Sequence, residues 1–218
     1  MRDRSRPSSP LQLVVLALVY EAPQHPYRMH TLIRERGKDQ IANVAQRNSV
    51  YQAIRVLERA GLIEALETER DERRPERTIY GITDKGRRTL PAWLSAMLST
   101  PAREFPDFPA ALAHVAGLAP KALRPLLEAR QAALEAHLQT LQVSIPGLPR
   151  VFSLEAEYLA AVTRAEVKWL QAVVADLRSG RLTWSDALIR KVAVRFAKAE
   201  AAPNAAAKPR ARKVPRGR

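Results

Sequence analysis

Apolar residues recur along this chain in several distinct rhythms. From Leu11 to Tyr20 they form a nearly continuous run, LQLVVLALVY, preceded by the polar, proline-containing lead-in Pro7 to Pro10 and followed by the breaker EAPQHP. Ser8 or Ser9 is placed to cap a helix that starts near Pro10, where a missing N–H is tolerated. In YRMHTLIRERG, Met29, Leu32 and Ile33 share one side, and Gly37 ends the pattern. In RNSVYQAIRVLERAG, Val50, Ile54 and Leu57 fall at i, i+4 and i+7, while Asn48, Gln52, Arg55 and Arg59 fall elsewhere on the wheel. The spacing predicts three helices, the third with a polar face rich in hydrogen-bond donors.

After Gly61 the rhythm changes. LIEALET and RTIYGIT predict strands at 62–68 and 77–83, with a charged hairpin tip between them. DKGRRTLPAWLSAML predicts a fourth helix, its main part started or kinked by Pro91, with Gly86 permitting the turn into it. Pro101, Pro106 and Pro109 then mark a joint. Beyond it, FPAALAHVAGL predicts a short helix, and residues 120–143 a long one carrying Leu123, Leu127, Leu134, Leu138 and Leu141. Residues 153–178 predict another, with Leu159, Val162, Leu170, Val173 and Leu177 in one stripe, widened by Tyr158, Ala165 and Trp169. Two such stripes exceed what one small domain must bury, which points to helices of a second copy of the chain.

Three helices followed by a two-stranded hairpin is the order of a winged helix-turn-helix, whose third helix enters the DNA major groove while the hairpin lies over the adjacent backbone or minor groove. The expected fold is therefore mainly α: a flexible arm at 1–9, a winged helix-turn-helix with a two-stranded β wing at 10–98, antiparallel long helices for dimerisation within 104–198, and a disordered basic tail at 199–218. In the hairpin, Arg70, Arg73, Arg74 and Arg77 have the planar forks that meet phosphates in pairs of hydrogen bonds. Glu69, Asp71, Glu72 and Glu76 lie among them and would orient them.

Composition narrows the partners. Lys and Arg outnumber Asp and Glu by 36 to 22, a formal charge of +14, so the field attracts polyanions. Cysteine is absent, which excludes disulfides, thiolate metal sites and a cysteine nucleophile. The four histidines, His25, His30, His114 and His137, lack metal-ligand spacing. No phosphate loop, nucleophile elbow or paired-acid pattern is present, so neither an enzyme nor a cofactor is expected. Basic residues precede the first apolar run as in a signal peptide, but Gln12 interrupts it and no small-residue cleavage site follows. Its uninterrupted part, Leu13 to Tyr20, is far below the roughly 20 residues that span a bilayer. A cytoplasmic protein with no membrane partner is expected.

Particular motifs carry a resemblance. HPYRM opening helix two, NSVYQAIRVLERAGLIE across helix three into the first strand, and RRPERTIYGITDKGRRTLPAWL from the wing into helix four resemble the PadR family of bacterial transcriptional regulators, densely over 11–98. LEAEYLAAVTRAEVKWLQAVVADLRSGRL is similar to the family's long C-terminal helix, which implies a homodimer formed through it. The resemblance implies phosphate contacts from Asn48 and Ser49 at the start of helix three, and base reading by Gln52 and Arg55, whose amide and guanidinium groups match adenine and guanine edges. Tyr51 either packs under the helix with its hydroxyl on a phosphate or is purely core. Tyr27 and Arg28 are either backbone clamps or ordinary capping residues. Tyr80 and Trp93 read as core.

Glu166 and Arg130 fall on or beside apolar stripes, where an unpaired charge is costly. Either they join structural ion pairs at a dimer seam, or Glu166 and Trp169 present a carboxylate and an aromatic plate to a small effector. Family members that bind flat hydrophobic compounds do so between the winged domain and the C-terminal helices, which makes Trp93 and Trp169 candidates by resemblance. The expected activity is repression by a homodimer on an inverted-repeat operator in double-stranded DNA, released by a small aromatic effector. The alternative is a winged module for protein contacts, with the tail alone attracting nucleic acid.

Overall fold

A computed structural model of the chain describes residues 7, 9–44, 48–71, 74–102, 104–141 and 147–201, with the backbone alone described at 68–71, 74–77 and 199–201. It divides into two compact units, Met1–Glu104 and Phe105–Arg218. The first contains α1 (Pro10–Glu21), α2 (Pro26–Glu35), a short 3-10 turn at Lys38–Gln40, α3 (Asn48–Arg59), β1 (Ile63–Asp71), β2 (Arg74–Ile82) and α4 (Asp84–Ser99). The second contains α5 (Asp107–Ala113), α6 (Pro120–Thr140), α7 (Leu154–Ser179) and α8 (Asp186–Ala201).

The core of the winged unit is built from the apolar positions that the helical spacing marks. Val15, Leu16 and Val19 of α1, Met29 and Ile33 of α2, and Val50, Ile54 and Leu57 of α3 are all buried, joined by Leu62, Ile63, Leu90 and Trp93. Ser9 is the N-cap residue of α1, but its carbonyl rather than its side chain bonds inward, accepting from Gln12 N at 3.1 Å. His25 caps α2, its Nδ1 accepting from Tyr27 N at 3.1 Å, with Pro26 at the first helical position.

The junction from α3 through the wing to α4 is bonded tightly. Gly61, at φ 68°, ends α3 in the left-handed conformation that glycine adopts without strain. Gly61 N donates to Glu58 O at 2.8 Å and Leu62 N to Leu57 O at 2.9 Å, the paired bonds that close a helix C-terminus. Three more bonds bring α4 to this point: Lys85 Nζ to Ala60 O at 2.6 Å, Thr83 Oγ1 to Gly61 O at 2.8 Å, and Thr83 N to Leu62 O at 3.2 Å. Thr83 Oγ1 also caps α4, accepting from Gly86 N at 3.0 Å. Because that hydroxyl serves both a cap and a cross-link, Thr83→Ala is expected to lower the winged unit's stability by about 1–2 kcal/mol. Hydrogen-exchange protection of α1 to α4 amides in urea is the measurement; loss of less than a few tenths would contradict the double role.

Gly86 has a different reason from the one its position suggests. Its φ is not positive; instead, a Cβ there would lie 2.1 Å from Leu62 O and 2.7 Å from Ile82 Cγ1. Close approach, not turn geometry, excludes a side chain. Pro91 lies inside a continuous α4, on its exposed side, and does not start the helix.

The strands extend further than the hydrophobic pattern predicts. They pair antiparallel from Ile63 opposite Ile82 to Asp71 opposite Arg74, with irregularities after Ala65 and Glu69. The loss of β-propensity among charged residues is offset by register, which sets Glu69 across from Arg77 and Asp71 across from Arg74. Gln24, between α1 and α2, exchanges two 3.0 Å backbone bonds with Tyr80 and so holds β2 to the helices.

In the second unit α6 and α7 run antiparallel: Glu128 meets Arg178 at 2.8 Å, and Gln171 reaches back to Glu135 at 3.3 Å. Leu123 and Leu127 pack with Leu170 and Val174. The buried line of α7 is rotated from the predicted one, running through Ala160, Val167, Leu170 and Val174, while Val162 stays 48% exposed. Helix α8 was not marked by the sequence pattern, and it carries regular structure to Ala201, past the expected start of the tail; residues 202–218 lie outside the described residues.

Candidate nucleic-acid interface

Burying Val50, Ala53, Ile54 and Leu57 turns the opposite side of α3 outward. At 3.6 residues per turn, Asn48, Gln52, Arg55 and Arg59 fall along its centre, and all are exposed. The two flanks differ. Tyr51 and Glu58 lie on the side of the wing, where with Arg55 they act electrostatically on Tyr80; burial, then Glu58, pushes the Tyr80 phenol up, with Arg55 opposing. Ser49 and Val56 lie on the side of α1, lining a cleft with Ser9 to Gln12 and Asn43. Tyr51 is 48% exposed, which removes the purely core reading.

Arg59 shares the donor-rich line but is absent from the predicted contact set; its i+4 spacing from Arg55 was the available signal. Its Nε donates to Arg55 O at 3.2 Å, which uses one α3 carbonyl and leaves the rest of the guanidinium for other partners. On the first turn of α2, Tyr27 is 73% exposed, and Arg28 pairs with Glu35 at 3.1 Å on the surface. An exposed pair of this kind is worth little, so exchanging Glu35 for a phosphate costs little.

Of the wing arginines, Arg70, Arg74 and Arg77 belong to the strand ladder rather than to an irregular tip, and their side chains lie outside the described residues. Arg73 lies wholly outside them. In the winged unit Trp93 is 7% exposed and part of the core, and its Nε1 has no acceptor among the described residues. In the helical unit Glu166 meets Arg130 at 2.6 Å, an ion pair within the one chain. The Arg130 guanidinium also stacks 3.6 Å from the Phe108 ring centre, and Phe108 meets Trp169 edge-on at 6.2 Å. Trp169 stays 43% exposed. Among the described residues no three potential metal-ligating side chains come together, and no helix is long and apolar enough to cross a membrane.

Three helices, an outward donor-rich third helix and an antiparallel hairpin directly after it define a winged helix-turn-helix, a DNA-binding class. Residues 15–92, within the winged unit, match the model of the Transcriptional regulator PadR-like family. Solved structures of similar fold include Bacillus subtilis PadR in complex with operator DNA, with TM-score 0.62 and 18% identity, covering 77% of this chain and 98% of that chain. The same regulator in complex with p-coumaric acid gives TM-score 0.60 and 17% identity over 77% and 98% of the two chains. The Vibrio cholerae virulence activator AphA gives 0.59 and 18% over 78% and 98%. At these identities the likeness is one of fold. No curated protein matches the chain.

Proposed function

We propose that the protein is a cytoplasmic, homodimeric repressor in which the outward face of α3 reads an operator from the major groove while the wing holds the neighbouring backbone. The observation that carries this reading is the line Asn48, Gln52, Arg55 and Arg59, exposed beside a hairpin on a chain of charge +14. Gln52 and Arg55 have the chemistry to pair with base edges; Asn48, Ser49, Tyr27, Arg28 and the wing arginines have that of phosphate contacts.

Dimerisation is supported by α7. Leu154, Tyr158, Val162 and Trp169 are all exposed, and helical spacing gathers them on one face with Ala161, Ala165 and Ala172. A symmetric pair covers such a stripe with itself and presents two α3 helices to half-sites one helical turn apart, roughly 34 Å. The reading of an aromatic effector is supported by the Trp169, Phe108 and Arg130 cluster, where aromatic faces and a cation adjoin. Such a ligand acts by favouring a dimer geometry in which the two α3 helices no longer match that spacing.

The test is a footprint of the full-length protein on DNA upstream of its own gene. Two protected half-sites related by inversion, with centres about 10 base pairs apart, are expected; an unprotected region would contradict the reading. Arginine roles are separable. Arg55→Ala is expected to weaken binding to the protected site by about 1–3 kcal/mol and to relax preference at one base pair, as seen in anisotropy titrations on substituted duplexes. Arg73→Ala is expected to weaken all duplexes alike and lower the salt slope by about 1. Equal patterns from both would contradict the division.

A further inference from the structure

We propose that α8 is a docking arm for a second copy of this chain: in the dimer its apolar side packs on the exposed turn that leads into the partner's α7. The proposal rests on the dimer reading above, with α7 pairing antiparallel to its copy. It comes from two bare apolar surfaces at opposite ends of one helix. Before the N-terminal end of α7, Leu148 and the 3-10 turn Arg150–Phe152 leave Leu148, Val151 and Phe152 exposed, next to exposed Leu154 and Tyr158. Beyond its C-terminal end, Leu188, Val192 and Phe196 of α8 are exposed at i, i+4 and i+8, on one side of the helix.

The base of α8 is fixed while its length is uncovered. Trp184 Nε1 donates to Leu118 O at 2.9 Å and its ring joins the core of α6 and α7, and Leu182 N donates to Asp176 O at 3.0 Å. From Asp186 to Lys198 every residue is exposed except Ile189, which is half-buried. A short helix with a bare apolar side is marginal by itself, so a cover is called for. The chain's own turn is out of reach: α7 has 26 residues and α8 has 16, about 39 Å against about 24 Å. An antiparallel α7 pair removes that distance, because it sets the N-terminal end of each α7 beside the C-terminal end of the other, where α8 issues.

Charge and area agree with this occupant. Arg124, Arg130, Arg150, Arg178 and Arg181 of the helical unit each meet an acid. By contrast, Arg190, Lys191, Arg195 and Lys198 of α8 make no ion pair among the described residues. The first turn of α7 carries Glu155 and Glu157 beside the apolar turn, a complement to that cationic helix. Two α8 helices laid together would instead set cations against cations. A stable interface covers about 800 Å² on each partner, whereas the exposed parts of Leu154, Tyr158, Val162 and Trp169 amount to only on the order of 400 Å². Adding α8 and the turn contributes on the order of 500 Å² more and closes the gap.

The chain has no cysteine, so introduced thiols report unambiguously. Full-length Val151→Cys and full-length Val192→Cys proteins are mixed, left to exchange subunits and treated with a short bismaleimide. A covalent dimer is expected from the mixture and little from either variant alone. In sedimentation, Val192→Glu with Phe196→Glu is expected to raise the dimer dissociation constant by about 10–100-fold, and Phe152→Glu by a similar factor. All three together are expected to cost little more than either set, because both sets remove the same contact. Unchanged dissociation constants would overturn the proposal, as would crosslinking of Val192→Cys to itself in preference to the mixture, which would mean that α8 pairs with α8. Sedimentation of the unaltered protein as a monomer would remove the dimer reading, and the proposal with it; a dimer that glutamates at Tyr158 and Val162 dissociate but those on α8 do not would keep that reading and sink the arm.

Discussion

Gly86→Ala is expected to destabilise the winged unit by several kcal/mol while leaving the stability of the helical unit unchanged. The added methyl would sit 2.1 Å from Leu62 O, and Leu62 O is itself the acceptor for Thr83 N at the head of α4. Backbone cannot yield as a flexible side chain can, so either α4 moves off β1 or the bonds at Thr83 break. Overpacking of a well-filled site costs about 1–3 kcal/mol, and losing the Thr83 bonds adds about one more for each. Against a total stability of about 5–15 kcal/mol, that removes a large share. Gly117→Ala is the control: its Cβ would meet nothing within 4 Å and its φ is not positive, so stability is expected to change by about 0.5 kcal/mol or less. Amide exchange resolves the two units; full protection of α1 to α4 in Gly86→Ala would contradict the packing account.

The second large effect concerns α7. Tyr158 and Val162 are 67% and 48% exposed and one turn apart, so glutamate at both positions leaves the packing of α6 on α7 intact while placing two charges in the proposed dimer seam. The double variant is expected to sediment as a monomer. Its affinity for a two-half-site duplex is expected to fall by about 10²–10⁴, because the second half-site is no longer held at high effective concentration, while binding to a single half-site is retained. A variant that remains dimeric with unchanged operator affinity would move the dimer seam elsewhere.

The winged unit was readable from sequence because each of its helices buries one spaced stripe and ends at a residue with a physical reason to be there. Val50, Ile54 and Leu57 mark the inner side of α3, and Gly61 closes it. What was misread has causes too. The wing is longer than local propensity predicts because residues 69–76 have poor strand propensity one by one, and cross-strand register is invisible along a single chain. Helix α8 gave no pattern tied to a core: Leu188, Val192 and Phe196 share a side yet all are exposed, and Val194 lies across from them among the cations.

The candidate site was legible in part. Asn48, Gln52 and Arg55 follow from the wheel once the buried stripe is known, whereas the cost of an unpaired charge says only that Glu166 and Arg130 need partners and not that they are each other's. The asymmetry of the α3 flanks, α1 on one and the wing on the other, depends on contacts distant in sequence and had no local signal.

Methylation interference tests most directly whether α3 faces the bases. Guanine N7 lies in the major groove, where a methyl group blocks a guanidinium but leaves the phosphates untouched. With the duplex selected by the full-length protein, methylation of one guanine in each half-site is expected to abolish binding of the unaltered protein and to make no difference to Arg55→Ala. Binding by the unaltered protein that is indifferent to methylation at every guanine, or an interference pattern identical for Arg55→Ala, would contradict the placement of Arg55 in the groove.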